Sequence, residues 1–458
     1  MSDFRSDTVS GRLAAWACKA RVEGLPDDVR HEARRLFLNQ LKASVGATDQ
    51  QAVALLHDWA VDEAQGAGGA HVHWFGTSLP PALAAMVNGA LYEVLDFHDT
   101  YIPCFMHAVS GVLPAVLAQA EASGRSGHAF VTALAIGLEV ELAVARILMP
   151  TGYYRGMVPA GLTGGVGAAA ACAVLEGLGE LQTQNAIGMA MSTPAGIYES
   201  AGSHTLSYIT GIAARSGLQA AALAKRGFTA PPTAFEGDQG MFVTHSDEDR
   251  AKIDAIIDSL GSEWRILGQT YKVVPTETIT HGPVECALQI LPRADGRVVE
   301  RIALAVEQIV VKIVDGRRER FGRPSSTPQA TFDLCHCVAA AWLRGRFTTA
   351  EVQADCYTDP AVIALSDRIV LTADPARATF EGCAMTVTFT DGTSEYHNVD
   401  NFLGTPGARV PDETLTDLLE QYGQPILPGG RARAIAQAVW QLDDATDLAP
   451  LIALIKKD

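Results

Sequence analysis

Apolar residues recur at helical spacing over most of the chain up to residue 266. After Pro26-Asp-Asp, the positions Val29, Ala33, Leu36, Leu41 and Val45 follow a helical period, so 8–45 reads as two helices. The pattern continues through 51–66 and stops at Gly66-Ala-Gly-Gly69. His71-Val-His-Trp-Phe-Gly76 alternates and is too short for a helix, so it reads as an extended connector. Pro81–Leu95, Val112–Ala122, His128–Leu148, Gly164–Leu178, Leu181–Met191 and Ala213–Arg226 read as further helices. The texture then changes. Ile309–Val314 and Arg368–Thr372 are short and β-branched, and Met385–Thr390 alternates up to Asp391-Gly392 before resuming at Ser394, which is a hairpin signal. Helices are expected between these strands, at 282–292, 329–344 and 349–354, and again at 412–422, 430–441 and 446–456. The expected fold is mainly α. A large all-helical domain, discontinuous in sequence, takes 1–266 and 405–458, and a smaller α+β domain takes 267–404.

Composition sharpens this picture. The 458 residues are 48% hydrophobic and 19% charged, a globular balance rather than a disordered one. With 42 glycines and 7% aromatics, the helices are expected to pack closely through Gly and Ala faces. The net charge of −17 and the absence of a Lys/Arg run argue against a nucleic-acid partner. They leave room for a small anionic substrate, since a local site can be cationic on an acidic protein. No signal peptide or membrane-spanning run is visible, so a cytoplasmic protein without a membrane partner is expected. The eight cysteines are scattered, and only Cys335 and Cys337 stand close, so reduced buried thiols are expected rather than a metal centre.

Two polar blocks interrupt the apolar frame. In Leu95–His107, Asp96, Asp99, Thr100 and His107 crowd two carboxylates, a hydroxyl and an imidazole into one stretch, with His98 among them. Asp96 and Thr100 share a face if the turn is helical. Thr100 can then bind a carboxylate or orient Asp96, and His107 can shuttle a proton. The plainer alternative is that Asp99 or Thr100 caps a helix and His107 is a satisfied core histidine. In Tyr271–His281, Lys272 sits among apolar neighbours and needs an anion if buried; otherwise it is a surface lysine on an edge strand. His281 either joins that site or caps the following helix. His71-x-His73 invites a zinc hydrolase reading, but the further ligand spacings are missing. Gly161–Gly167 is neither a dinucleotide nor a P-loop motif, and close helix packing accounts for it better.

Taken together, the blocks resemble the MmgE/PrpD family, which includes 2-methylcitrate dehydratase, cis-aconitate decarboxylase and iminodisuccinate epimerase. Asn88–Thr100 resembles the family's N-G-A-x-x-H-x-L-D-F-D-D-T, and His107 matches the histidine before its V-L-P-A run. Gly211-Ile-Ala-Ala resembles its G-x-A-A helix, and Lys272-x-x-Pro275 with His281 resembles K-x-x-P-x-C-x-x-x-H. The resemblance implies that the smaller domain is a lid, that the protein is a homodimer, and that it needs no metal or organic cofactor. Asp96, His107 and Lys272 are then expected to be catalytic, and Thr100 and His281 to bind substrate. Several positions depart from the pattern. Glu93 stands at its histidine, His98 at its second acid, Val158 at the histidine of G-F-H-P, Leu206 at a lysine, and His336 at a tyrosine of the decarboxylase branch. His98, His204 or His336 are the candidates to replace what is lost. The implied function is a cofactor-independent lyase, a dehydratase or hydratase, acting beside a carboxylate of a small di- or tricarboxylic acid. An epimerase or isomerase of a small dicarboxylate, a decarboxylase, and a catalytically silent ligand-binding homologue remain alternatives.

Overall fold

A computed structural model describes residues 3–194, 196–424 and 426–457. The chain is 60% helical, nearly twice the usual share, with one small mixed sheet in the C-terminal part, so the expected mainly-α class holds. Two compact units are distinguished. One comprises Met1–Val94, His98–Thr270 and Pro411–Asp458, and the other Leu95–Phe97 with Tyr271–Val410. No helix among the described residues is long and apolar enough to cross a membrane.

The first unit is helical. It opens with α1 (Val9–Glu23), α2 (Asp27–Val45) and α3 (Gln51–Ala64). Two-residue strands, β1 (Ala70–His71) and β2 (Ser78–Leu79), pair antiparallel and lead to α4 (Pro81–Glu93). Then come α5 (Val109–Ser123), α6 (Gly127–Leu148), the short α7 (Thr151–Tyr154), α8 (Pro159–Leu175), α9 (Glu180–Met191) and α10 (Thr205–Lys225). The shorter α11 (Met241–His245) and α12 (Arg250–Asp258) follow, and three helices at Asp412–Gly423, Arg431–Trp440 and Ala449–Ile455 return to this unit. Local signals set the ends. Ser126 caps α6 by accepting from the Ala129 amide, and Pro159 begins α8, where its missing N–H costs nothing. Every residue of α8 is buried, which is why its pattern carries little amphipathic signal.

Small residues set how closely these helices pack. A Cβ on Gly211 of α10 would meet the Met86 carbonyl oxygen of α4 at 2.3 Å, and one on Gly217 would meet Ala168 Cβ of α8 at 2.4 Å. Alanine at either position would force the helices apart, so Gly and Ala are what permit the contact.

The second unit contains α13 (His281–Ala294), β3 (Val299–Val306), α14 (Gln308–Phe321), α15 (Thr327–Phe332), α16 (Leu334–Arg344), β4 (Ile369–Ala373), β5 (Cys383–Phe389) and β6 (Ser394–Val399). The strand order is β4-β3-β5-β6; β3 and β4 run parallel, and the other pairs are antiparallel. In β5, Cys383, Met385, Val387 and Phe389 point inward alternately, and the chain reverses at Asp391-Gly392 into β6, as the hairpin signal indicated.

One expectation is corrected. Ile309–Val314 is not a strand but lies in α14. Glu307 caps it through the Ile309 amide, and Val310 and Val314, four apart, are its buried residues, so the operative period is helical despite the β-branching. The strand lies just upstream, where the exposed Glu300 and Arg301 interrupt the apolar alternation.

Candidate functional site

The first polar block begins where α4 ends. Asp96 is not in a helical turn with Thr100: its φ is +49°, a left-handed conformation that Asp tolerates better than most residues. The conditional expectation of an Asp96/Thr100 helix face therefore fails.

In the second unit Asp96 meets Lys272. The Lys272 ammonium donates to both the backbone oxygen and Oδ1 of Asp96, each at 2.7 Å, and the lysine has no exposed surface. The surface-lysine alternative is therefore excluded. Burial pushes the Asp96 carboxyl upward, while the Lys272 ammonium and, more weakly, Arg317 pull it back. Lys272 is held from behind, since the Tyr271 amide donates to the Gly404 carbonyl at 2.8 Å. His281 begins α13; its Nδ1 lies 3.1 Å from the Glu277 carbonyl, so Nδ1 carries the proton and Nε2 is the titrating atom. The Glu277 side chain is clamped by both terminal guanidinium nitrogens of Arg317. Arg317 stands on α14, three residues past the stretch expected to be a strand, and the sequence reading did not single it out.

His336 lies on α16, with its amide on Asp333 Oδ1 and its Nε2 2.8 Å from the Glu351 carbonyl. It is thus tied into the frame of α16. Burial lowers its pKa, favouring the neutral ring.

In the first unit the remaining residues of the block form a compact group. Thr100 exchanges backbone hydrogen bonds with Thr270 at 2.9 and 2.8 Å, which fixes the segment. His107 Nδ1 lies 2.7 Å from the Asp99 carbonyl oxygen and 3.4 Å from Thr100 Oγ1. A carbonyl only accepts, so Nδ1 keeps its proton and Nε2 is the atom that can take or give one. His98 is fully buried, and its ring packs edge-on to His107 with centroids 4.2 Å apart. Its Nε2 is 3.3 Å from Glu93 Oε2, which also accepts from Ser110 Oγ at 2.9 Å. His204, by contrast, is exposed at the start of α10.

Sequence reasoning passed over Glu141. It sits on α6 with no exposed surface and accepts from Thr163 Oγ1 at 3.3 Å. Burial first, then the Asp99 carboxyl, drive its pKa well above the ordinary carboxyl range. A signal was available: Glu141 stands two residues after Glu139 in a long helix that is mostly apolar.

His71 and His73 have structural partners: His71 pairs with Glu121, and Tyr92 Oη lies 2.6 Å from His73 Nδ1. Burial brings the His73 pKa down to about 3. All eight cysteines are buried and unbridged.

Comparison with known proteins identifies the family. The chain is 24% identical to a cis-aconitate decarboxylase-like protein of Aspergillus oryzae over 98% of its own length and 97% of the relative's. It is also 24% identical to cis-aconitate decarboxylase of Aspergillus terreus, over 98% and 96%, and of Homo sapiens, over 95% and 92%. Family models for the MmgE/PrpD N-terminal domain and C-terminal domain match residues 11–254 and 274–444, and the chain therefore belongs to the MmgE/PrpD family.

Proposed function

We propose that the protein is a cofactor-independent lyase acting on the carbon beside a carboxylate of a small di- or tricarboxylic acid, with dehydration or hydration as its reaction. The observation that carries this reading is the buried Lys272–Asp96 pair, a cation committed to a carboxyl that burial has already pushed upward. Removing a proton beside a carboxylate builds negative charge on that group, and an ammonium is the stabiliser such a step requires. His107 presents Nε2 as the acid or base, and Asp96 is the second proton carrier. In dehydration the base takes the C–H proton, the electron pair forms the alkene, and the hydroxyl leaves as water with a proton from the acid. Thr100 and His281 orient the substrate. His98 is assigned to support of His107, while His204 and His336 are the weaker substitutes. Acting as a homodimer and working in the cytoplasm belong to the same proposal.

The relatives' names favour decarboxylation of cis-aconitate, but two positions weigh against it. Val158 is buried at the N-cap of α8 where the family pattern carries histidine, and Leu206 stands at the start of α10 where it carries lysine. With one cation fewer, a substrate of lower charge fits better. This also supports epimerisation, which needs two acid–base groups and no leaving group, as the second reading.

The test is a turnover panel of citrate, 2-methylcitrate, cis-aconitate and four-carbon dicarboxylates. Alkene absorbance reports dehydration, released carbon dioxide reports decarboxylation, and solvent deuterium entering recovered substrate without net conversion reports epimerisation. The lyase reading expects alkene from a hydroxy acid, lost in both His107→Ala and Lys272→Ala. Thermal stabilisation by a panel member with no turnover would instead mark a silent binding homologue.

A further inference from the structure

We infer that Glu93 is a positioning residue: it holds His98 as an imidazolium against His107, and so keeps His107 a neutral base. The inference rests on the reading of His107 as the acid–base group. It says how His98 supports His107 and assigns a task to Glu93, which that reading leaves without one.

Glu93 closes α4, and its carboxylate is nearly buried. Ser110 Oγ of α5 donates to Oε2 and thereby aims that oxygen. The same oxygen lies 3.3 Å from Nε2 of the fully buried His98. An anion this near favours the charged form of an imidazole. The His98 ring stands at 67° to the His107 ring, with centroids 4.2 Å apart. Two imidazolium ions at that separation repel, so the pair carries a single charge over the working range. Glu93 awards that charge to His98. His107, its Nδ1 proton fixed by the Asp99 carbonyl, is left with a lone pair on Nε2.

The other charged groups around the pair do not reverse this. Asp99 Oδ2 is directed toward the Val109 amide at 3.5 Å, and burial and the Asp99 carboxyl push the Glu141 carboxyl of α6 toward its uncharged form. Asp96, two residues before His98 in sequence, is engaged by Lys272.

The test follows the full-length protein, labelled with carbon-13 at its imidazoles, through a pH titration by NMR. Signals are assigned with the variants H98N and H107N. In the unaltered protein His98 is expected to titrate above His107. Glu93→Gln should lower the His98 midpoint by about one pH unit or more while raising that of His107. Glu93→Asp should restore the separation, at least in part. A merely structural role for Glu93 does not move two midpoints in opposite directions. If E93Q unfolds, His98→Gln is the second arm, and it should raise the His107 midpoint by the same logic. Unmoved midpoints, or midpoints shifting together, would overturn the inference. No substrate is needed, so this failure is separable from failure of the proposed reaction, which H107A turnover tests on its own.

Discussion

A lysine with no exposed surface persists only if something compensates its lost hydration, and here the compensation is Asp96, reached at 2.7 Å through both its carboxyl and its backbone oxygen. Removing the ammonium strands the partner. Lys272→Met, which keeps most of the stem, should cost about 3 kcal/mol in urea unfolding. The double variant with Asp96→Asn should recover part of that loss; strict additivity of the two would show that the pair is not coupled. Glu141 behaves in the opposite sense, because no cation among the causes of its shift pulls it back. A carboxyl whose folded pKa is raised contributes stability below its unfolded value, about 4.3, and loses that contribution as pH rises through the folded value. Glu141→Gln mimics the neutral acid. It should therefore match the parent melting temperature in acid and exceed it increasingly toward alkaline pH. A gap that narrows as pH rises would show Glu141 to be ionised. Residue identity made part of this legible in the sequence: Asp96, Thr100, His107, Lys272 and His281 stood out as polar groups in an apolar frame. The contacts of Glu141 and Arg317 did not, because their partners Thr163 and Glu277 lie 22 and 40 residues away in the chain.

Elements were readable where one periodicity dominated. The β5–β6 hairpin announced itself by strict alternation and an Asp-Gly turn, and α6 by a long, mainly apolar stretch over His128–Leu148. Where side-chain type and periodicity disagreed, type misled. The β-branched Ile309–Val314 is helical, while β3, with polar residues at its exposed positions, escaped notice. Backbone approach was the hardest feature to read. Gly404 has φ +120°, and a Cβ there would meet the Tyr271 carbonyl oxygen at 1.9 Å, beside the residue that carries the ammonium. Gly404→Ala should cost about 2 kcal/mol or more from backbone strain alone, before the displaced Tyr271 is counted. The check is a thermal melt alongside turnover. Both should fall, and a fully stable G404A would mean that the 271 segment tolerates movement.

At the scale of the molecule, an acidic chain with a net charge of −17 handles an anionic substrate only by concentrating cations locally. Both family domains are represented, and in the second unit Lys272 and Arg317 are the groups that act on Asp96. This bears on whether the chemistry needs a metal. Charge building on a carboxylate can be stabilised by a Lewis acid or by a fixed ammonium, and Lys272, itself without exposed surface, is fixed by two hydrogen bonds. An iron–sulfur route would need three or four convergent thiolates. Cys335 and Cys337 are the close pair in sequence, and both are buried thiols with pKa values pushed up beyond the ordinary range; Cys337 Sγ donates to the Ala330 carbonyl. Burial of that kind disfavours the thiolate a cluster requires. Turnover is therefore expected to survive exhaustive dialysis against a chelator, and elemental analysis of the purified protein should find well under one zinc or iron per chain. Stoichiometric metal, with activity lost to the chelator and restored by adding the ion back, would transfer the charge-stabilising role from Lys272 to that ion.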